Sequence, residues 1–121
     1  MSPKISIIIA TYNAGKTLAR CLQSIREEKT NEIELLVIDG GSKDNTLDII
    51  NAYQDTIDYS SSEPDKGIYD AWNKGITHAK GDWVMFIGAD DYLAGNALSD
   101  YLNLLQQQDC AAYDLICAKE L

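Results

Sequence analysis

Two kinds of apolar pattern alternate along this chain, and that alternation limits its fold more than any single residue does. KISIIIATYN, residues 4–13, gathers Ile5, Ile7, Ile8 and Ile9 into a β-branched, nearly continuous run. Such a run marks a strand buried on both faces. After Asn13-Ala14-Gly15 the spacing changes. Leu18, Cys21, Leu22 and Ile25 fall at i, i+3, i+4 and i+7, one face of a helix. IELLVID, residues 33–39, is a second buried strand. GGSKDNT is a turn cluster in which Ser42 or Asp44 is expected to cap a helix with Leu47, Ile50 and Tyr53 inward. A weaker strand is expected at Ile57 to Ser61, followed by the loop SSEPDKG. The third helical stripe runs through Ile68, Ala71, Trp72, Gly75, Ile76 and Ala79, with Trp72 and Ile76 expected in the core. Gly81-Asp82 ends it, and WVMFI, residues 83–87, follows as a strand. Asn96 is expected to cap a fourth helix with Ala97, Leu98, Tyr101, Leu102 and Leu105 inward, and AYDLICA to form a last strand.

The order βαβαβαβαβ predicts an α/β fold, a mostly parallel sheet with helices on both faces. The 121 residues suffice for one domain, 1–121, with one core. No apolar run approaches the roughly 18 residues that span a bilayer, and the N-terminus lacks the pattern of a signal peptide. A cytoplasmic location, including the cytoplasmic face of a membrane through peripheral association, is the expectation. Cys21, Cys110 and Cys117 are an odd set without C-x-x-C, which fits reduced thiols better than a zinc site. The net charge is −9, with 4 basic and 10 acidic residues in 61–121. No nucleic-acid partner is expected, because phosphate neutralisation needs clustered Lys and Arg.

Ligands of parallel α/β sheets bind beyond the C-terminal ends of the strands. The residues there are Ala10-Thr11-Tyr12-Asn13, Asp39-Gly40-Gly41-Ser42, Ser62 to Gly67, and Gly88-Ala89-Asp90-Asp91. Asp90 and Asp91 end an apolar strand side by side, an arrangement that is costly unless a cation or a proton sits among the carboxylates. Hard oxygen ligands suit Mg²⁺ or Mn²⁺, and an ion held by one or two carboxylates keeps positions open for phosphate. Asp39 either caps its own turn or accepts from a ribose or base. Lys66 is either solvated or paired with a phosphate. Tyr12 can stack on a base or pack on the next loop. His78 reads as an edge residue.

ISIIIATYN, LLVIDGGSKDNT, SEPDKGIYDAWNKGI and AKGDWVMFIGADDYL, in that order, resemble the inverting family 2 glycosyltransferases of GT-A fold over residues 4 to 95. EPDKGIYDAWNKGI is closest to the branch that builds bacterial surface polysaccharides. The resemblance implies a truncated GT-A, Rossmann-like domain. Its nucleotide contacts would fall on Ala10, Thr11, Tyr12, Asn13, Asp39, Asp65, Lys66, Gly67, Ala89 and Asp90. A Mn²⁺ or Mg²⁺ ion would sit on Asp90 with Asp91 in support. The implied reaction moves a sugar from a nucleotide-sugar, a UDP-sugar first, to a glycan or lipid-linked acceptor with inversion.

Two departures stand out. The family's D-A-D-D reads Gly88-Ala89-Asp90-Asp91 here, so the first acidic position of the D-x-D is lost. The acceptor-binding half and its general base have no counterpart before the final AYDLICAKEL, so no residue is assigned as that base. The alternative is a non-catalytic nucleotide-binding or interaction domain of the same fold. Apolar surface left for a missing half would favour a homo-oligomer. A phosphorylated receiver domain would need carboxylates where Thr11-Tyr12-Asn13 stand, and a Rossmann dehydrogenase needs a G-x-G-x-x-G that NAGKTL lacks.

Overall fold

A computed structural model describes residues 3–93, Leu98 and the strand at 115–117. Strands β1 (Ile5–Thr11), β2 (Ile33–Asp39), β3 (Tyr59–Ser62), β4 (Trp83–Gly88) and β5 (Leu115–Cys117) form one sheet in the order β3-β2-β1-β4-β5. Every pairing is parallel. Helices α1 (Leu18–Arg26), α2 (Thr46–Ala52) and α3 (Ile68–His78) make the crossovers. The strand expected at 57–61 lies slightly later. The expected fourth helix lies outside the described residues apart from Leu98, which is helical and buried.

The apolar runs are buried on both sides because each strand splits its residues between two cores. Ile5, Ile7 and Ile9 pack with Leu18, Cys21, Leu22 and Ile25 of α1 and Ile50 of α2. Ile8, Leu36 and Ile38 face the other way, against Ala71 of α3 and Phe86. Gly75 lets α3 settle closely on the sheet, since a Cβ there would stand 2.6 Å from Ile8 Cγ2. Trp72 extends this second core by stacking on Phe86 at 4.5 Å.

Several expected inward residues point elsewhere. Leu47 is 37% exposed, and Ile68 and Ile76 are each 46% exposed. Helices α2 and α3 bury only a narrow stripe against the sheet, so residues one step off that stripe reach solvent. Neither expected residue is the cap of α2: Asn45 holds that position and makes no side-chain cap bond. Asp44 accepts the Thr46 N–H at 2.9 Å at the start of α2, whereas Ser42 is drawn into bonds with Asp39 and Asn13. His78 does find a partner, stacking on Tyr59 with ring centroids 4.2 Å apart.

At the N-terminal end of the sheet a buried polar pair fixes the entry to β4. Ser6 and Glu34 are neighbours in the β1–β2 register, and Ser6 Oγ donates to Glu34 Oε1 at 2.6 Å. Their oxygens accept the N–H groups of Lys80 and Gly81 at 2.9 and 2.8 Å. Hydrogen bonding of this kind lowers the cost of burying a polar pair.

Candidate functional site

From β1 the chain steps outward to β2 and β3, then crosses back to β4 on the other side of β1. Loops diverge at that point, and a cleft of about 780 Å³ opens over the ends of β1, β2 and β4. Four loops build it.

The loop after β1 is stitched to the loop after β2. Asn13 adopts φ 50°, a left-handed conformation that Asn tolerates. Its N–H donates to Ser42 Oγ at 2.7 Å, and its Oδ1 accepts the Lys43 N–H at 2.9 Å. Ala14 N–H donates to Thr46 Oγ1 at 2.8 Å. This leaves Tyr12 at the rim, 63% exposed.

Asp39 organises both loops from below. It has no exposed surface. Its Oδ1 accepts from Thr11 Oγ1 and Ser42 Oγ, each at 2.6 Å. Its Oδ2 accepts from Gly41 N–H at 3.0 Å and from Ser42 N–H and Ser62 Oγ, each at 2.8 Å. Burial alone would raise its pKa, but the bonds from Ser42, Thr11 and Ser62 outweigh burial and hold it below the ordinary 3.8.

The loop before α3 brings Pro64, Asp65 and Gly67 to the cleft. Gly67 takes φ 119°, a conformation for which glycine is suited, and turns the chain into the helix. Asp65 Oδ1 accepts the Gly67 N–H at 3.0 Å. Asp70 Oδ2, in the first turn, accepts the Lys66 N–H at 3.0 Å. The N-terminal turn of α3 thus opens on the cleft, with Ile68 and Ala71 in its wall.

Beyond β4, the Asp91 N–H donates to the Gly88 carbonyl at 3.0 Å, and Asp91 Oδ2 accepts the Gly88 N–H at 3.2 Å. A Cβ on Gly88 would stand 2.9 Å from Asp90 Oδ1 and 3.0 Å from Asp91 Oδ2. The two carboxylates therefore converge on the space that a longer residue at 88 would fill. Behind them lies the Cys21 thiol, 3.7 Å from the Gly88 carbonyl. Burial, then the charges of Asp91 and Asp90, push that thiol up to about 12, so it stays protonated and unreactive.

Of the residues expected at the site, Ala10, Thr11, Tyr12, Asn13, Asp65, Gly67, Ala89 and Asp90 all line the cleft. Asp39, Lys66 and Asp91 do not. Asp39 is turned inward, so of its two expected roles the turn-forming one is what its bonds express. Lys66 projects to solvent, and the cation that lines the cleft is Lys43. Reading along the sequence missed Lys43 because it lies inside a turn cluster. Its signal was adjacency to the Asp39-Gly40-Gly41 turn, whose two glycines also line the cleft.

The acceptor-only oxygens of Asp90 and Asp91 gather over Gly88, a donor set that suits a divalent ion, and Asp90 is the one that lines the cleft. No group of three or more metal-binding side chains occurs among the described residues, so phosphate and water would complete such a shell. No helix among the described residues is long and apolar enough to cross a membrane.

Strand tips at a switch point, glycine turns, a helix N-terminus and hard carboxylate oxygens define an α/β protein with a ligand-sized cleft at its strand ends. The family model described as glycosyl transferase family 2 matches residues 6–119, and the chain belongs to that family. It is 42% identical over 95 residues to the PGL/p-HBAD biosynthesis glycosyltransferase of Mycobacterium tuberculosis, covering 76% of this chain and 37% of that protein. It is 36% identical over 124 residues to an uncharacterized glycosyltransferase of Mycoplasma pneumoniae, covering 93% of this chain and 39% of that one. S. aureus TarS 1-349 in complex with UDP-GlcNAc superimposes with a TM-score of 0.81 at 28% identity, over 88% of this chain and 32% of TarS. A mannosyltransferase from Pyrobaculum calidifontis in complex with GDP-Man and Mn²⁺ gives 0.77 at 25% identity, over 87% of this chain and 33% of that one. The chain thus spans about 37–39% of the length of the two glycosyltransferases and 32–33% of the two solved structures.

Proposed function

We propose that this chain forms the donor-binding part of a glycosyltransferase that moves a sugar from a nucleoside diphosphate sugar, a UDP-sugar first, to a glycan or lipid-linked acceptor with inversion. The observation that carries this reading is the cleft itself. It joins an exposed aromatic, Tyr12, to a pair of glycines, a helix N-terminus and Asp90 within about 780 Å³, in the range that encloses a small-molecule ligand. The UDP-GlcNAc and GDP-Man complexes of the structural relatives support the same ligand class.

The chain's residues divide the work by chemistry. Tyr12 offers its ring to a base. Gly40 and Gly41 let the ligand approach their backbone closely. The first turn of α3 directs its positive end and free N–H groups toward phosphate. Lys43 supplies a positive side chain in an otherwise acidic cleft. Asp90 is the carboxylate that would hold Mn²⁺ or Mg²⁺, and that ion supplies charge neutralisation on the departing diphosphate. Asp91 fixes the turn that presents Asp90.

Calorimetric titration of UDP into the chain, with Mn²⁺ and then with EDTA, tests this reading. Binding that requires the metal and is lost in Asp90→Ala is the expected result. A folded sample that binds UDP in neither condition refutes the donor-site assignment.

A further inference from the structure

We propose that Asp65, rather than Asp39, reads the base of the donor nucleotide, and that it selects bases carrying a ring N–H: uracil, thymine or guanine. The inference rests on the donor site proposed above and gives it a specificity.

Asp39 has nothing left to offer a ligand. A carboxylate has about four lone-pair positions, and those of Asp39 already face five protein donors, from Thr11, Gly41, Ser42 twice and Ser62. The group is fully enclosed. Accepting from a base would mean breaking bonds that hold two loops together.

Asp65 has the opposite properties. It lines the cleft, and its Oδ1 is held by the Gly67 N–H at 3.0 Å. No donor among the described residues reaches its Oδ2. That oxygen hangs over Gly40, since a Cβ built on Gly40 would stand 2.8 Å from it and 2.9 Å from Oδ1. The missing side chain at position 40 is what admits the Asp65 carboxylate to the tip of β2. Gly40, Gly41, Pro64 and Tyr12 line the same cleft around it. Asp65 therefore stands at the β2 strand end in place of the enclosed Asp39, with one oxygen fixed and the other free.

A carboxylate accepts and cannot donate. Uracil and thymine N3–H and guanine N1–H match it, whereas cytosine N3 and adenine N1 present a lone pair to it. Unmatched acceptors in a partly closed site are penalised by about a factor of ten or more. Wild-type chain is thus expected to bind UDP at least about tenfold more tightly than CDP.

The test is calorimetric titration of UDP, GDP and CDP, with Mn²⁺, into the full chain as wild type, Asp65→Asn and Gly40→Ala, each first checked for folding by circular dichroism. In Asp65→Asn the Gly67 N–H retains the amide oxygen, because the NH₂ cannot accept. The NH₂ then faces the cleft and donates to cytosine N3. UDP should weaken about tenfold while CDP strengthens, reversing the preference. Gly40→Ala keeps the Asp65 chemistry but displaces its carboxylate, so UDP weakens and the preference for UDP over CDP falls toward one. It decides the matter if Asp65→Asn does not fold. An unchanged UDP to CDP ratio in the folded variants overturns the assignment of Asp65 while leaving the donor site standing. Wild type that binds UDP and CDP equally does the same. Wild type that binds no nucleotide overturns both.

Discussion

Asp39 illustrates how one residue's role is set by what encloses it. Its five bonds join the tips of β1, β2 and β3, and the Thr11 and Ser62 hydroxyls reach it from both flanking strands. Asp39→Asn replaces an acceptor oxygen by an NH₂ and leaves buried donors unmatched, with an expected loss of roughly 1–3 kcal/mol of stability. The pH dependence has a definite sign. The folded-state pKa lies below the ordinary 3.8, so the ionised group contributes stability that is present above that value and lost as pH falls through the lower folded-state pKa. Urea unfolding of wild type and Asp39→Asn should show a gap that is constant above about pH 5 and shrinks below about pH 4. A gap independent of pH would contradict the role of the charge. The sequence left Asp39 open between a turn and a base, because the Thr11 and Ser62 hydroxyls that saturate it lie 28 and 23 residues away.

Among the elements, α3 is the one whose fit to the sheet bears on the site, since its first turn forms a wall of the cleft. Gly75 sits where the helix comes closest to β1. Gly75→Ala improves helix propensity by about 1 kcal/mol. It also drives a Cβ to 2.6 Å from Ile8 Cγ2 and 3.1 Å from Ile8 Cδ1. Overpacking costs about 1–3 kcal/mol, so the close contact wins and the melting temperature falls. Thermal melts followed by far-UV circular dichroism measure it, and an unchanged or raised midpoint would mean that Ile8 yields freely. The stripe that predicts α3 was plain in the sequence. Its outer members were misassigned because a period of 3.6 gives the helix face but not the width of sheet beneath it. Ile68 and Ile76 accordingly lie half open at its two ends.

At the scale of the molecule, charge is the dominant feature. A net −9 on 121 residues works against the compact state by self-repulsion. Exposed pairs such as Lys4–Asp82 and Lys74–Glu63 are worth about 0–1 kcal/mol each and cannot offset it. Raising sodium chloride from about 0.01 M to about 1 M shortens the screening length from ~30 Å to ~3 Å. The melting temperature should rise over that range. A fall would show that local ion pairs outweigh the global repulsion. The same acidic field disfavours an anionic donor, so nucleotide binding should depend on the divalent ion more steeply than on Lys43.

The order of the described elements up to β4, the parallel sheet and the cleft at its strand ends were fixed by local pattern. β-branched runs such as Ile5 to Ile9 and Ile33 to Asp39 can be buried on both faces only in a sheet covered by helices, and a covered parallel sheet binds at its strand ends. Those features depend on neighbours within one turn or one strand, and they can be read along the chain. The division of labour among the carboxylates depended on contacts across the fold. Asp39 was enclosed by three strands, Asp65 was admitted over Gly40, Asp90 faced the cleft and Asp91 closed a turn. A carboxylate's chemistry follows from how many donors surround it and how much water reaches it. Both are set by residues distant in sequence, and the tertiary structure alone brings them together.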